Sequence, residues 1–415
     1  MSVGPVRVGP QTDPASTIAV LADDLTSAGD GAAPFRRTGH RAQVLLAAEL
    51  AADGFSDWTA DGTADGIAYG NVVAVDLGSR LLDEPAAAIR TERAARRFAG
   101  ADLLVKTVDS TLRGHLAAEI RAAHAGSRRQ AVVVAPAFPA EGRTTIRGVQ
   151  YVEGVPVHET DFARDPAHPV RSSDLARLLP EAELLEPDGF GKLPELIDGG
   201  GVFVCSAATD ADLDLLISSV PRAGDVLWVG SPGLAAALAR HHSRTPAAAP
   251  PELPGARRPL VVVGSAHPAT RRQLDRLRTR ADVDAADAAD DPAAAVDALR
   301  RSPALTLAVH TPDARRASPG SLTSDLAVAV RELAATGAVD GLVLTGGETA
   351  VAVLEALGAT GIDLFDEPEP GVARGVLLSP PRIPVLIKAG GFGDEGALDR
   401  LCRLLVRGAG TGADS

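Results

Sequence analysis

Short runs of Val, Ile, Leu and Ala alternate along the chain with stretches rich in Ala, Leu and Arg, and this alternation constrains the fold more than any other feature. The first series of runs is TIAVLAD, RAQVLLA, NVVAVDLG, DLLVKTVD, QAVVVAPAF, GVFVCSAA and DVLWVGSPG. Continuous apolar strands are typical of a parallel sheet that is covered by helices on both faces. The pattern therefore predicts an α/β protein with largely parallel sheets.

The alternation stops at residues 241–259, where HHSRTPAAAPPELPGARRP is too rich in Pro and Ala to continue a helix and is typical of a linker. A second series of runs follows: PLVVVGSAH, LTLAVHT, GLVLTGGE and IPVLIKAGGFG. We therefore predict α/β domains at residues 17–240 and 260–410, preceded by a flexible tail at residues 1–16. The active site is expected in the cleft between the two domains.

Charge and composition exclude several classes of function. The net charge of -13 disfavours nonspecific binding to nucleic acid, which relies on clustered Lys and Arg. The lack of a long uncharged apolar run predicts no membrane span, and the opening residues lack the apolar segment of a secretion signal, so a cytoplasmic location is expected. The only cysteines, Cys205 and Cys402, cannot form a disulfide framework or a cysteine-rich metal site.

Three strand ends in the second series carry glycine together with a hydroxyl or a lysine. The segment TGGETA contains Gly346, Gly347, Glu348 and Thr349, and a helix is expected to begin there. Glycines let backbone amides approach an anion, and a helix N-terminus attracts negative charge, so the segment is typical of a phosphate cradle. Equivalent positions follow two other runs, at Ser265 and at Gly390 and Gly391. A plain Gly-containing turn is the alternative for the TGGETA segment taken alone.

The familiar nucleotide fingerprints are missing. No G-x-x-x-x-G-K-[ST] motif occurs, and GGFGDEG does not match the G-x-G-x-x-G pattern of dinucleotide-binding proteins. A standard P-loop or Rossmann enzyme is therefore not expected.

Polar residues also cluster at strand ends in the first series. Asp23 and Asp24 end the first run, where paired carboxylates can orient hydroxyls, accept a proton or hold Mg²⁺, although one of them could simply cap a helix. The segment KTVDSTLRG suggests a site for a small hydroxylated anion, because an arginine can grip a carboxylate with two hydrogen bonds. The alternative is that Arg113 pairs with Asp109 on a helix surface. The candidate ligands of the substrate are Lys106, Asp109, Ser110 and Arg113, with Arg143 and Thr144 from a Gly- and Pro-rich excursion at residues 136–169.

Taken in order, these segments resemble the signature segments of the four-carbon acid sugar kinases. The resemblance rests on LADDLTSAGD, KTVDSTLRGH, PAFPAEGRTT with GVQYVEGVPVHETDFARDP, GS at residues 264–265, TGGETA and KAGGFG, and it spans most of residues 17–400. It implies an N-terminal acid-sugar-binding domain, a C-terminal ATP-binding domain and phosphoryl transfer from ATP to the terminal hydroxyl of threonate, erythronate or 3-oxo-tetronate. Ser27, Ala266, His267 and Glu348 depart from the usual family residues.

The leading hypothesis is thus a kinase in which Asp24 or Asp23 is the catalytic base and the glycine segments hold ATP with Mg²⁺. A nonenzymatic two-lobed sugar-acid sensor is the alternative from another class, and an NAD-linked dehydrogenase is a third. The sequence does not choose among the four-carbon acids, and it assigns no Mg²⁺ ligands. A homodimer is expected only because twofold assemblies are common.

Overall fold

The computed structural model describes residues 17–47, 63–64, 67–68, 71–165, 168–243, 253–265, 267–289, 291–312 and 319–408. The predicted tail at residues 1–16 lies outside the described residues, as do residues 244–252 of the predicted linker. Within the described ranges, no helix has both the length and the apolar character needed to cross a membrane.

The strands and helices follow the apolar runs closely. The strands are β1 (Ile18–Ala22), β2 (Ala42–Leu45), β3 (Thr63–Ala64), β4 (Ile67–Ala68), β5 (Val72–Asp76), β6 (Leu103–Thr107), β7 (Ala131–Ala135), β8 (Arg143–Ile146), β9 (Val149–Val152), β10 (Val155–Pro156), β11 (Glu183–Leu185), β12 (Gly201–Cys205), β13 (Val226–Gly230), β14 (Pro259–Val263), β15 (Val283–Asp287), β16 (Thr306–His310), β17 (Gly341–Thr345), β18 (Gly361–Glu369), β19 (Val372–Leu377) and β20 (Pro384–Lys388). The helices are α1 (Leu25–Arg37), α2 (Glu84–Arg97), α3 (Leu116–Ser127), α4 (Leu175–Leu178), α5 (Leu193–Gly199), α6 (Asp210–Ser218), α7 (Pro232–His241), α8 (Pro268–Arg278), α9 (Pro292–Arg301), α10 (Pro319–Ala335), α11 (Gly347–Ala356) and α12 (Ala397–Arg407).

Fifteen strands of the described chain form one sheet, in the order β11-β12-β7-β13-β6-β1-β5-β2-β18-β19-β20-β17-β14-β16-β15. The eight strands from β11 to β2 pair in parallel, and so do the five from β20 to β15. The prediction of a largely parallel α/β fold is therefore confirmed. The sheets of the two halves are nevertheless continuous, which the sequence did not predict.

The hairpin of β18 and β19 joins the two halves. Strand β18 runs antiparallel to β2, with Gly361 opposite Leu45, while β19 runs antiparallel to β20. The sequence GIDLFDEPE of β18 carries acids and a proline, so it does not form the continuous apolar run by which the other strands were identified. Gly361 fits because a Cβ built there would lie 2.1 Å from the carbonyl oxygen of Val44.

Both faces of the sheet are buried, which explains the continuous apolar runs. In β1, Ile18, Val20 and Ala22 belong to one core cluster, whereas Ala19 and Leu21 belong to a second cluster on the opposite face. Helix α1 contributes Leu25, Ala28 and other small side chains to the first cluster. Both cysteine thiols are free and buried.

The excursion after β7 forms a small sheet of its own. Strands β8, β9 and β10 pair in antiparallel order, with Thr144 opposite Tyr151. Gln150 of β9 donates from Nε2 to the carbonyl oxygen of Ser110 at 2.8 Å, so this small sheet is tied to the loop that follows β6.

The close approach of Gly361 to Val44 predicts that Gly361→Ala weakens the joint between the halves. The added methyl group must displace backbone, and we expect the free energy of unfolding to fall by about 1–3 kcal/mol in urea titrations. Gly100→Ala is the matched control, because a Cβ at Gly100 meets nothing within 4 Å. Equal stability of the two variants would contradict this account.

Candidate active site

The end of β1 presents two adjacent carboxylates in different surroundings. Asp24 caps α1, since its Oδ1 accepts hydrogen bonds from the backbone N–H of Ser27 at 2.7 Å and from Thr26 Oγ1 at 2.9 Å. Asp23 is buried, with 4% of its surface exposed. The capping interpretation therefore explains the contacts of Asp24 Oδ1, whereas Oδ2 pairs with Arg80.

Arg80 holds both carboxylates. It lies in the short helix Ser79–Leu81 that follows β5, and its Nε donates to Asp23 Oδ2 at 2.7 Å. Its Nη1 pairs with Asp24 Oδ2, and its Nη2 donates to Ser27 Oγ at 3.2 Å. One guanidinium group therefore fixes the relative position of Asp23, Asp24 and the first turn of α1.

The charges around Arg80 are strongly coupled. Burial alone would raise the pKa of Asp23, but the positive charges of Arg80 and Lys106 outweigh it and lower that pKa to about 2. Asp76, which is opposite Ala22 in the sheet, behaves differently: burial raises its pKa to about 7, with smaller contributions from Asp24 and Asp23. The pKa of Asp30 is also well above its usual range, because of burial and then the nearby charges of Glu367 and Asp24.

The loop between β6 and α3 carries Asp109 and Arg113. Asp109 accepts hydrogen bonds from Thr111 N at 2.8 Å and from Thr111 Oγ1 at 2.7 Å, and Arg113 Nε donates to its Oδ2 at 2.6 Å. Arg113 also lies over the Phe162 ring, 5.3 Å from its centre, and 3.6 Å from a carboxylate oxygen of Asp165. The alternative pairing of Arg113 with Asp109 is therefore observed, but in a loop, and 32% of the arginine side chain stays exposed.

Lys106, a predicted contact of the substrate, is buried in the structure. Lys106 has no exposed surface, and its Nζ lies 2.8 Å from Glu119 Oε2 and donates to the carbonyl oxygen of Thr107 at 2.7 Å. A charged group at the end of a central strand needs a partner in the interior, and Glu119 provides it. The charge of Lys106 helps to lower the pKa of Asp23, and its contact with the substrate stays a prediction.

The remaining substrate candidates of the first half are spread out. Gly114 brings the loop close to the aspartates, since a Cβ built on it would lie 3.4 Å from Asp23 Oδ2. Ser110 contributes its carbonyl oxygen to Gln150. Arg143 donates from Nη1 to the carbonyl oxygen of Glu141 and, at 3.3 Å, to Oε2 of the same residue. Among the described residues, no hydrogen bond or ion pair joins Arg143 or Thr144 to Asp24 or Arg113.

The glycine segments of the second half converge at neighbouring strand ends. Strand β17 lies between β14 and β20, so Thr345 is level with Val263 and with Lys388. A Cβ built on Gly264 would collide with Thr349 Oγ1 at 1.9 Å, and one built on Gly390 would lie 2.6 Å from Ser265 Oγ. Any residue larger than glycine would clash at Gly264 and at Gly390, so these two segments can pack this closely only because both residues are glycines.

The geometry of this cradle suits an anion. Gly346 has φ +89°, a conformation that favours glycine, and it directly precedes the N-terminus of α11. Glu348 is exposed in the first turn of that helix, whereas Thr349 is 4% exposed and packs against Gly264. Gly391 faces the ring of His267, with 3.4 Å between its ideal Cβ and Nε2. The free N–H groups of a helix start and the glycine backbone together can hold phosphate.

The two halves meet at Asp24. A Cβ built on Gly347 would lie 3.7 Å from Thr26 Cγ2 and 3.8 Å from Asp24 Oδ2. On the other side of the site, the charge of Arg113 contributes to lowering the pKa of His267, after burial, Lys388 and Arg272. Asp24, after the end of β1, therefore lies next to Gly347, at the start of α11.

In the ranges that the structure describes, no group of three or more His, Cys, Asp or Glu side chains could hold a metal ion by itself. A divalent cation at this site would need ligands from the phosphates and from water.

The sequence reasoning missed Arg80 and Asp76. Asp76 ends β5 within the apolar run NVVAVDLG, Arg80 follows that run by two residues, and β5 is the parallel neighbour of β1. Because carboxyl ends of parallel strands share one edge of a sheet, the same logic that selected Asp23 and Asp24 could have selected this strand end.

Comparisons with known proteins identify the family of the chain. Residues 18–238 match the family model described as a sugar-binding N-terminal domain, and residues 260–398 match a nucleotide-binding C-terminal domain. The chain is 39% identical to the D-threonate kinase of Bordetella bronchiseptica, over 94% of this chain and 97% of that protein. It is 31% identical to the D-threonate kinase of Salmonella typhimurium (91% and 96% covered) and 28% identical to the D-erythronate kinase of Heliobacterium modesticaldum (92% and 95% covered).

Solved structures show the same fold. A crystal structure from Salmonella typhimurium LT2 matches with a TM-score of 0.76 at 22% identity, covering 94% of this chain and 99% of the other. A Haemophilus influenzae protein matches with a TM-score of 0.69 at 21% identity, covering 94% of this chain and 100% of the other.

The ion pairs of Arg80 predict a pH-dependent loss of stability in Arg80→Met. The folded pKa of Asp23 is about 2 against a usual 3.8, so this group stabilises the fold above about pH 4, and the contribution is lost as pH falls toward 2. We expect the substitution to lower the free energy of unfolding by at least about 2 kcal/mol at pH 7 and by less at pH 3. Urea titrations at both pH values measure the difference.

Arg222→Met provides the control for this series. Arg222 pairs with Asp198 and Asp225 on the surface, where such pairs contribute little. An Arg80→Met effect of the same size at pH 7 and pH 3 would contradict the assigned role of Asp23.

Proposed function

The chain belongs to the four-carbon acid sugar kinase family, and on that premise we propose that it transfers the terminal phosphoryl group of ATP to the terminal hydroxyl of a four-carbon sugar acid. D-threonate is the substrate we favour. Two D-threonate kinases are 39% and 31% identical to this chain, compared with 28% for the D-erythronate kinase.

One observation carries the proposal: Asp24, in the sugar-binding half, lies against Gly347, in the nucleotide-binding half. A phosphoryl acceptor and a phosphoryl donor that are held on the two sides of this contact would have their reacting groups close together. Phosphoryl transfer depends mainly on positioning and on stabilisation of charge, both of which such a cleft supplies.

We assign the role of catalytic base to Asp24. Its carboxylate faces the glycine cradle, whereas Asp23 is buried beneath it against Arg80. Asp24 would orient the terminal hydroxyl and accept its proton as the oxygen attacks phosphorus. Arg80 would keep Asp24 in place, and Asp23 would balance the charge of Arg80.

The carboxylate of the sugar acid would bind Arg113. That side chain is partly exposed, and Asp109 and Phe162 orient it. Asp109 has a pKa below its usual range, because the charges of Arg113 and Arg80 and the bonds from Thr111 outweigh its burial, so it stays an acceptor for substrate hydroxyls. Ser110, Arg143 and Thr144 remain proposed contacts of the rest of the substrate.

The nucleotide would occupy the cradle of Ser265, Gly346, Gly347 and Gly390 with Gly391, with Glu348 and Thr349 beside it. The close packing of Gly264 on Thr349 and of Gly390 on Ser265 supports this site, because it brings hydroxyl groups and glycine backbone together at neighbouring strand ends. We propose that Mg²⁺ binds with the nucleotide, mainly through phosphate oxygens and water, and neutralises charge on the transferring group.

A sugar-acid sensor would not need a second lobe with a phosphate cradle, and a dehydrogenase would need a nicotinamide site. The deciding experiment incubates the protein with ATP and Mg²⁺ and each stereoisomer of threonate, erythronate and their 3-oxo forms, and then measures ADP. We expect turnover with D-threonate above the other acids. Binding of an acid without ADP formation would favour the sensor.

The role of Asp24 predicts that Asp24→Asn lowers kcat by about 10²–10⁴ with a smaller change in KM. Asparagine is as good a helix cap as aspartate, so the fold should persist. Asp83→Asn makes the same exchange at the cap of α2, where Asp83 accepts from Ala86 N at 2.9 Å, and should leave kcat unchanged. An Asp24→Asn enzyme with normal kcat would exclude Asp24 as the base.

The role of Arg113 predicts that Arg113→Ala chiefly raises KM for the sugar acid, by about 10- to 100-fold, because it binds substrate and transition state alike. KM for ATP should change little. Arg121→Ala removes an exposed arginine paired with Glu181 and serves as the control. Equal increases in both KM values would show that Arg113 is not specific for the acid.

A further inference from the structure

Lys388, at the end of β20, is buried with its ammonium group among backbone carbonyl oxygens. Lys388 has no exposed surface, and its Nζ donates to the carbonyl oxygens of Ala389 at 2.9 Å and Phe392 at 2.8 Å, with that of Gly390 at 3.5 Å. Its ammonium group is thus surrounded by the backbone of residues 389–392, which include two glycines of the nucleotide cradle. We refer to residues 389–392 as the β20 loop.

Lys106 in the other half is also a buried lysine at a strand end, and it has the carboxylate partner that Lys388 lacks. Lys106 is equally buried at the end of β6, but it has the carboxylate of Glu119 at 2.8 Å. Among the described residues, Lys388 has no carboxylate within ion-pair distance. A buried cation that has only neutral partners costs free energy unless some other negative charge compensates it.

Glu369, whose charge acts on Lys388, and the two acids that follow the β20 loop in sequence are already bound to arginines. Glu369 and Asp394 both pair with Arg400, at 2.8 Å and 2.7 Å. Glu395 lies 3.7 Å from Arg272. Within the described chain, the ammonium group of Lys388 therefore has no ion-pair partner, and Glu369 compensates its charge only in part.

The β20 loop is held from its other side as well. Thr270 Oγ1 donates to the carbonyl oxygen of Gly390 at 2.5 Å, and Gln273 Nε2 donates to that of Phe392 at 3.0 Å. With several carbonyl oxygens turned toward Lys388 and α8, the loop is fixed in one shape, with Gly390 against Ser265 and Gly391 against His267.

Building on the proposed function, we propose that Lys388 is the positioning residue of the nucleotide site: its buried ammonium group fixes the β20 loop and supplies the charge that the phosphates of the nucleotide compensate. It does so without touching the nucleotide. Nucleotide binding should consequently stabilise the protonated form of this lysine.

The charges around Lys388 make this linkage measurable. Burial lowers the pKa of Lys388 to about 8, and Glu369 opposes that change only in part. His267, on which the charge of Lys388 also acts, has a pKa below its usual range because of burial and then the charges of Lys388, Arg272 and Arg113, so it titrates at lower pH. The free lysine therefore loses its proton near pH 8, whereas an adjacent anion would raise its pKa.

A rise in the pKa of Lys388 on nucleotide binding would have two measurable effects. Between pH 8 and 9.5, ATP binding should be accompanied by proton uptake, and affinity should fall as pH rises, by up to about tenfold per pH unit. Below pH 7, where Lys388 is protonated with and without nucleotide, neither effect from this lysine remains.

The experiment is isothermal titration calorimetry of the full chain with ATP and Mg²⁺ at pH 8.5, in buffers of different ionisation enthalpy. We expect uptake of about one half to three quarters of a proton per ATP, since about three quarters of a group with a pKa of about 8 is neutral at that pH. Lys388→Met should abolish the uptake and weaken ATP binding at pH 7 by about 10- to 100-fold. It should also make the affinity independent of pH between 8 and 9.5.

The double variant Lys106→Met with Glu119→Gln is the matched control, because it removes the other buried lysine together with its partner. It should retain the proton uptake. Wild-type protein that binds ATP at pH 8.5 without proton uptake would overturn the role of Lys388, and this measurement does not depend on whether any variant folds. Protein that binds no ATP at all would instead overturn the proposed function, and the inference with it.

Discussion

The ion pairs of Arg80 with Asp23 and Asp24 are the interaction on which the site depends. Two adjacent carboxylates at one strand end repel each other, and a buried one is costly, so neither position is stable without a cation. Arg80 comes from the neighbouring strand end and supplies that cation while also bonding Ser27 in the first turn of α1. The same contacts connect β1, β5 and α1. Stability of the fold and orientation of Asp24 thus have one physical source.

Continuity of the sheet explains how the second half reaches this point. Three antiparallel pairings, made by β2, β18, β19 and β20, reverse the direction of the parallel strands between the halves. Without twist, the two sets of carboxyl ends would lie at opposite edges of the sheet. Neighbouring strands rotate by roughly 20–25°, which adds up to roughly 120–150° over the six steps from β1 to β17. That rotation offsets most of the reversal and is consistent with the contact between Gly347 and Asp24.

The sequence predicted what depends on local pattern. The apolar strands, the glycine turns and the aspartates at the end of β1 could be read because each is encoded by adjacent residues. The ion pair of Lys106 with Glu119 was not predicted, because Glu119 lies on the following helix and only the fold brings the two together. Arg80 was missed for the same reason. The contact of Lys106 with the substrate stays a prediction. Strand β18 was not predicted, because its acids and its proline interrupt the apolar run by which the other strands were identified, although they are compatible with a hairpin strand. The positions of Arg143 and Thr144 as substrate contacts stay predictions.

Among the described residues, the fifteen-stranded sheet has two edge strands, and their sequences disfavour pairing with other chains. One edge is β11, which is three residues long and starts with a glutamate. The other is β15, where VDAAD places Asp284 and Asp287 on an exposed strand. Short strands and charged side chains discourage edge-to-edge pairing. So large a sheet can thus exist in a crowded cell without serving as a template for aggregation, and the interior strands remain free to be almost entirely apolar.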